Sequence, residues 1–559
     1  MQRSLIHRPA AVTGILGALV VLMIGPSSPW EAALGHPTSD MSDHIHGMWW
    51  VGQEILAGRW PDFSAQTHFP QGTPLWFPDP IGALMALALR PLGPTLAYNG
   101  VIALQLWAAG LAGWAMCRDL GASASGALLG GIFLLTSPYL LGLTHSGISE
   151  GLGLAWVALA TWALLRAMGR APEDPNPALK QAVWAGLALM LVGLQSPVYL
   201  VGVLILALVC ALGPLRSIPQ RTLRLSIILA LAAPAMLWLR AQIERTLGPG
   251  NQVGGSIAPG WAPEGLPATD LMGFIRPGAH YFPDTPALGN PGVLHVHYIG
   301  WIALVAACVG WRRAPWLRLP TLVIAVMCMG PMLTINGAHL PSLESPFLLP
   351  LSLIYLEGSP LHFVHHPYRL VAVALPLIAV LLALGVSRLS PMWVGLIGLG
   401  MVGESLLISP APWPIQSTHI EAPAVYADLP QGPVMDWPPD GTDYNRRYLR
   451  WQMTHQRPIA YGVNTTFPDA ARHDPILWGA YFRLTDPSRP LKNRDIVGRR
   501  PKPSTRPATL AAQGFRALVF HGEALEAGDR QRTLNALHAA YGPPDVRDGA
   551  TFGWAIDAP

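Results

Sequence analysis

Long apolar runs separated by short polar segments fill most of the first 408 residues. An apolar segment of about 20 residues is long enough to cross a bilayer as a helix. By that measure the pattern predicts about eleven transmembrane helices, at 9–27, 95–117, 124–142, 150–168, 181–195, 197–213, 224–240, 297–311, 319–334, 369–387 and 391–408. The run 81–92 is too short to cross and predicts an amphipathic helix that lies in the membrane interface.

Basic residues predict the direction of these helices. Arg3 and Arg8 precede the first one, which places the N-terminus in the cytoplasm by the positive-inside rule. Each short loop that is then predicted to be cytoplasmic carries Lys or Arg, whereas the outer turns near 145 and 196 carry neither. An odd number of spans places the C-terminus outside and predicts large outer loops at 28–94, 241–296 and 335–368.

The tail from 409 to 559 has more charge and no apolar run long enough to cross a membrane. Its short apolar segments at 432–437 and 515–521 predict buried strands. Residues 528–541 predict a helix that Gly542-Pro543-Pro544 ends. The predicted architecture is therefore mainly α, with a polytopic membrane domain at 1–408 and a small extracytoplasmic α/β domain at 409–559.

Composition supports a membrane protein. Of the 559 residues, 51% are hydrophobic and 12% are charged, whereas soluble chains carry about 25% charged residues. The net charge of +4 is spread along the chain without a Lys/Arg stripe, so we expect lipid and no nucleic acid as a partner. The four cysteines lie in or beside apolar runs and lack the spacing of a metal site or a disulfide framework.

The first outer loop contains the clearest candidate chemistry. Asp40, Asp43, His44 and His46 lie within seven residues of one another. If a helix begins near Ser39, both carboxylates lie on one face, where they could act as a general base or hold a divalent cation. The alternative is structural: Ser39 or Asp40 caps the helix, and Asp43 interacts favourably with the helix dipole.

The motifs that follow have a recognisable order. After the acidic residues come Trp49-Trp50, Phe69-Pro70-Gln71-Gly72, Ala97-Tyr98-Asn99, Ser137-Pro138-Tyr139, Arg276-Pro277-Gly278, Tyr298-Ile299-Gly300 and His366-Pro367-Tyr368-Arg369. This order resembles bacterial membrane proteins of the GT-C glycosyltransferase superfamily, including YfhO-like members. The resemblance extends over most of the chain.

The resemblance implies an activity. Such enzymes take a sugar from a polyprenyl-phosphate carrier and pass it to a cell-envelope glycan, lipid or protein on the outer face of the bacterial inner membrane. A carboxylate of the first outer loop then acts as base or binds metal. Asp40 is closest to that position and Asp43 is its neighbour. If a metal such as Mg²⁺ or Mn²⁺ is required, we expect it at Asp40, Asp43, His44 or His46.

Other residues are candidates for substrate binding. Arg276, Arg369 and His366 could bind the carrier phosphate, because a guanidinium suits bidentate phosphate contacts. Glu150 and His145 could form a second polar site, and Trp60 and Trp76 could stack on a sugar ring. Structural alternatives stay open for all of them: helix-end anchors, solvated loop residues, a dipole partner for Glu150 and an interfacial aromatic belt.

Two further observations and two competing functions leave alternatives open. Glu404 lies inside a predicted span and is a functional candidate for that reason, although it is near the outer end. His280, His295 and His297 match no strong metal-ligand spacing and favour a loop. A lipid or glycan transporter and a non-catalytic envelope-assembly scaffold are the competing functions.

Overall fold

Helices follow the apolar runs of the sequence along most of the chain. A computed structural model describes residues 9–75, 77–169, 179–212, 218–246, 269–277, 294–342, 346–355, 366–439, 441–463, 465, 467–484 and 508–557. The helices of this part are α1 Pro9–Ile24, α2 Met41–Leu56, α3 Pro80–Leu89, α4 Pro94–Asp119, α5 Ala124–Leu135, α6 Pro138–Ser146, α7 Leu154–Ala167, α8 Leu179–Gln195, α9 Pro197–Ala211, α10 Ile218–Thr246, α11 Trp301–Arg313, α12 Pro315–Cys328, α13 Val371–Val386, α14 Pro391–Leu407, α15 Val425–Asp428, α16 Gly441–His455, α17 Asp469–His473, α18 Pro475–Leu484 and α19 Ala527–Tyr541.

In the described part of the chain, strands are few and short. They are β1 Ala33–Leu34, β2 Phe63–Ser64, β3 Thr73–Pro74, β4 Thr334–Ile335, β5 Ala338–His339, β6 Ser417–Thr418, β7 Val434–Trp437, β8 Ala517–His521, β9 Val546–Asp548 and β10 Thr551–Ala555. The pairs β1–β6, β2–β3 and β4–β5 form separate two-stranded ribbons. The other four strands form one sheet in the order β7-β8-β10-β9.

Each of the eleven predicted spans contains a helix, but the helices differ in length. Five are long and apolar enough to cross a membrane, namely Pro9–Ser27, Pro94–Asp119, Ala124–Ser146, Gln220–Gln242 and Pro367–Val386. The other six predicted spans form α7, α8, α9, α11, α12 and α14, which have 13 to 17 residues. Proline begins several of these helices and shortens them, so the number of spans stays a prediction.

The chain folds into two units. The helical unit takes in Met1–His36, Pro78–Gln242 and Ile257–Thr418, and the mixed unit takes in Pro37–Phe77, Ile243–Ser256 and His419–Pro559. The central part of the first outer loop, Pro37–Phe77, thus folds together with the C-terminal tail, although the whole loop was predicted to belong to the membrane domain. Its helix α2 packs against α16, and Phe69 N–H donates to the Ile459 carbonyl at 3.0 Å.

Helix α13 forms the centre of the helical unit. Every residue from Val371 to Val386 is buried except Leu384. The helix packs against α11 and α5, with further contacts to α12, α7 and α9. At Gly310 of α11 a Cβ would collide with the Leu381 carbonyl, so a glycine is needed for this close approach.

The mixed unit is built on the four-stranded sheet. Strand β7 pairs in parallel with β8, and β10 pairs antiparallel with both β8 and β9. Buried aromatic residues, among them Trp437, Phe520 and Trp554, form its core. The predicted strands at 432–437 and 515–521 and the helix that Gly542 ends are confirmed.

Candidate active site

Helix α2 begins at the acidic cluster of the first outer loop. Asp40 occupies the N-cap position, but its side chain makes no capping hydrogen bond. Instead, Ser39 Oγ accepts a hydrogen bond from Met41 N–H at 3.2 Å. The capping interpretation therefore holds for Ser39 and leaves the Asp40 carboxylate available for another contact.

Arg446 of α16 binds both carboxylates of this cluster. Its Nη2 lies 2.7 Å from Asp40 Oδ1, and its Nε lies 2.9 Å from Asp43 Oδ2. The Asp40 side chain is 25% exposed, whereas that of Asp43 is 10% exposed. One guanidinium thus holds an accessible carboxylate beside a buried one, and the predicted common face of Asp40 and Asp43 is present.

The buried position changes the acidity of Asp43. Burial raises the pKa of this carboxyl from 3.8 to about 6, with a smaller upward contribution from Asp40, while Arg446 acts in the opposite direction. Among the described residues, Asp43 Oδ1 has no hydrogen-bond partner. Asp43 therefore changes its charge close to neutral pH, which is a common property of functional carboxylates.

The two histidines of the cluster make contacts that are typical of a structural role. Burial lowers the pKa of His46 to about 4, so its ring is neutral at pH 7 and donates from Nε2 to Gln452 Oε1 at 2.8 Å. The His44 ring lies edge-on to Phe77, with 5.8 Å between ring centroids. Across the described residues, no group of three His, Cys, Asp or Glu side chains is arranged to hold a metal ion.

A divalent cation would compete with Arg446 for the same carboxylate oxygens. The guanidinium already supplies positive charge to Asp40 and Asp43, and His46 is engaged by Gln452. A Mg²⁺ or Mn²⁺ site needs several free oxygen ligands. The side chains of the cluster therefore fit a carboxylate pair bound by arginine better than such a metal site.

A second polar cluster lies inside the helical unit. Arg369 Nη1 and Glu150 Oε1 are 3.0 Å apart, and both side chains are largely buried. Nearby, the Tyr139 and Tyr199 hydroxyls are 2.6 Å apart, and the Tyr199 hydroxyl donates to the Gly151 carbonyl at 2.6 Å. Two residues that the sequence suggested separately, Glu150 and Arg369, are thus partners in one ion pair.

Aromatic and imidazole rings extend this cluster. The His295 ring stacks on Tyr368 with 4.8 Å between centroids and lies 4.9 Å from His366. His145 is buried, and its ring lies 5.5 Å from that of His36. His297 is also buried and is 3.0 Å from the Asp270 carbonyl through Nε2.

The structure describes two of the remaining candidates, Trp60 and Arg276. Trp60 in the mixed unit is 69% exposed. Arg276 is half-buried and follows the turn Leu271–Phe274 in the helical unit. Trp76 and His280 lie outside the described residues.

Glu404 of α14 has a structural explanation. Its carboxylate accepts hydrogen bonds from Trp301 N–H at 2.6 Å and Ile302 N–H at 3.1 Å, and from the Tyr298 hydroxyl. Backbone N–H groups at the start of a helix lack partners within it, and a carboxylate there also suits the helix dipole. Glu404 therefore caps α11, which weakens the case for an intramembrane transport site.

We expect Glu404→Ala to destabilise the helical unit by about 1–3 kcal/mol, because buried donors lose their acceptor. Glu404→Gln keeps an acceptor oxygen and should have a smaller effect. Thermal unfolding in detergent, followed by tryptophan fluorescence, measures both. An Ala variant as stable as wild type, but defective in function, would contradict the capping role.

Comparison with solved structures identifies the fold. The arabinofuranosyltransferase AftD from Mycobacteria is similar over 98% of this chain and 40% of its own, with a TM-score of 0.55 and 14% identity. ArnT from Cupriavidus metallidurans in the apo state is similar over 98% of both chains, with a TM-score of 0.50 and 12% identity. A second ArnT structure, bound to undecaprenyl phosphate, is similar over 98% of both chains, with a TM-score of 0.48 and 12% identity.

These similarities establish the fold alone. The chain spans 40% of the AftD chain that it matches. No family model matches it, and no curated protein does either. The protein has the GT-C fold that the sequence predicted, and five helices of its described part are long and apolar enough to cross a membrane. The YfhO-like subtype stays a prediction.

Proposed function

We propose that the protein is a GT-C glycosyltransferase that transfers a sugar from a polyprenyl-phosphate carrier to a cell-envelope acceptor. The observation that carries the proposal is the carboxylate pair Asp40 and Asp43 on the single guanidinium of Arg446. The fold supports it, because the similar structures AftD and ArnT are GT-C glycosyltransferases.

The proposed reaction needs one base. The acceptor hydroxyl oxygen attacks the anomeric carbon while the bond from that carbon to the carrier phosphate oxygen breaks. The hydroxyl proton passes to a carboxylate, and the bonding electron pair leaves with the phosphate. We assign the base to Asp40, because its carboxylate is the more exposed of the two. Asp43 then acts as a positioning residue through Arg446.

The cluster in the helical unit is the proposed contact for the carrier. Arg369 can offer a guanidinium to a phosphate, and His366 and His295 lie in the same ring cluster. Glu150 balances the Arg369 charge, so a bound phosphate would share that cation with it. Exposed Trp60 suits stacking on a sugar ring, and Arg276 is a further phosphate candidate. We further propose the bacterial inner membrane as its location, with the N-terminus in the cytoplasm.

The proposal is tested with the full chain in lipid nanodiscs. A panel of polyprenyl-phosphate-linked sugars is supplied with envelope acceptors, and mass spectrometry follows sugar transfer and carrier release. The double variant Asp40→Asn/Asp43→Asn is the inactive control, and Asp557→Asn is a control for the loss of one carboxylate charge at an exposed position. We expect turnover in wild type and in Asp557→Asn.

The alternatives give different results. Equal turnover in the folded double variant would remove the carboxylate pair from the mechanism. No turnover of any donor by well-folded protein would contradict the glycosyltransferase proposal. Uptake of a labelled glycan by proteoliposomes would then support a transporter, and a partner retained by the mixed unit would support a scaffold.

A further inference from the structure

Arg450 is a buried arginine without an anionic partner among the described residues. It lies on α16, one helical turn after Arg446, so both guanidinium groups are on the face that packs against α2. Arg446 binds the two carboxylates of α2, but the hydrogen bond of Arg450 is a long one from Nη1 to Ser42 Oγ at 3.5 Å. The Arg450 Nε has no hydrogen-bond partner in the described part of the chain.

This burial is energetically unfavourable without a ligand. Arg450 is only 8% exposed, and an unpaired buried charge lacks the solvation that water would give it. Burial and the neighbouring Arg447 cation lower the pKa of Arg450 to about 10, so the guanidinium still carries its charge at pH 7. A bound anion would supply the missing interaction.

The surroundings of Arg450 suit a tetrahedral oxyanion. Ser42, its neighbour, lies in the first turn of α2, a helix of 16 residues. Backbone N–H groups in that turn and the positive end of the helix dipole favour negative charge. The Ser42 hydroxyl can donate one hydrogen bond, and the guanidinium can donate two in a fork.

We propose that Arg450 and Ser42 bind a phosphoryl group in the mixed unit. The ligand is a phosphate monoester or diester, either free in solution or on the headgroup of a lipid. The site is separate from the Arg369 cluster of the helical unit. The inference does not depend on glycosyl transfer, because phosphate binding at Arg450 can be measured without any turnover.

The test compares wild type with Arg450→Met, which preserves length and apolar packing but removes the charge. Arg59→Met, at an exposed arginine of the same unit, is the matched control. Binding of inorganic phosphate to the full chain in detergent is measured by calorimetry in a buffer free of phosphate and sulfate. A second arm uses nanodiscs of phosphatidylcholine with and without polyprenyl phosphate, and follows the melting temperature.

We expect Arg450→Met to weaken phosphate binding about 10- to 100-fold, the effect of losing charge-assisted hydrogen bonds, while Arg59→Met binds as wild type. Stabilisation by free phosphate identifies a soluble ligand, and stabilisation only by polyprenyl phosphate identifies a lipid headgroup. Equal binding by Arg450→Met and wild type, or no binding in either arm, would overturn the proposal.

Stability separates a ligand site from a packing role. Without phosphate, Arg450→Met should melt at the same temperature as wild type or higher, because the variant buries no unpaired charge. If Arg450→Met fails to fold, Arg450→Lys keeps the charge without the two-pronged guanidinium and should still weaken binding about tenfold. Unchanged phosphate affinity in the lysine variant would then refute the proposed site.

Discussion

Replacing Asp40 with asparagine is expected to lower the turnover number about 10²–10⁴-fold, the usual contribution of a general base. Asparagine has nearly the same shape and can still accept a hydrogen bond from Arg446, but it cannot take a proton from the acceptor. The Michaelis constant for the carrier-linked sugar should change little, because the proposed step concerns the acceptor proton. Initial rates on the best donor of the panel measure both constants.

Two comparisons make this prediction specific. Asp557→Asn removes the same charge at an exposed position and should leave the rate unchanged. Thermal unfolding of Asp40→Asn should match wild type, because the Asp40 side chain is partly exposed and makes no capping hydrogen bond. A raised Michaelis constant with an unchanged turnover number would indicate that Asp40 binds substrate and does not act as the base.

Local features of the candidate site could be predicted from the sequence. The spacing of Asp40 and Asp43 placed both carboxylates on one helix face, and α2 begins where Ser39 suggested. Such features depend on residues that are close along the chain, where helical periodicity decides which side chains are neighbours.

The partners of those residues could not be predicted in the same way. Arg446 and Gln452 belong to α16, far along the chain from α2, and only tertiary packing brings the two helices together. A signal was present, since Arg446 and Arg450 are four residues apart and share a helix face. The pairing of Arg369 with Glu150 was likewise hidden, because each had its own plausible role at a helix end.

The lengths of the helices show another limit of prediction from the sequence. Hydropathy located apolar segments correctly, and every predicted span contains a helix. It did not show that several of these helices have fewer than 18 residues, because apolar composition alone does not register where Pro and Gly end a helix. Glu404 is similar: its position within a span suggested function, while its capping of α11 depends on packing between two helices.

Replacing Arg446 with glutamine is expected to lower turnover at neutral pH about 10- to 100-fold and to move the acidic limb of the pH profile upward. In wild type Arg446 opposes the effect of burial on Asp43, whose pKa is about 6. Without that cation the pKa of Asp43 rises further. Because Asp43 positions the base Asp40 through its ion pair with Arg446, we expect turnover to require the charged form of Asp43. Turnover should therefore increase with pH through about 6 in wild type and through a higher pH in Arg446→Gln.

The charge on Asp43 affects the stability of the folded state in the opposite direction from its effect on turnover. The folded state binds the Asp43 proton more tightly than the unfolded state, because the pKa is raised from 3.8 to about 6. Stability from this group is therefore present at low pH and is lost as the pH rises through that window. Arg446→Lys keeps the charge and should shift the acidic limb less than Arg446→Gln. If Arg446→Gln lowers turnover but leaves the limb at wild-type pH, Arg446 acts on the substrate directly and not through Asp43.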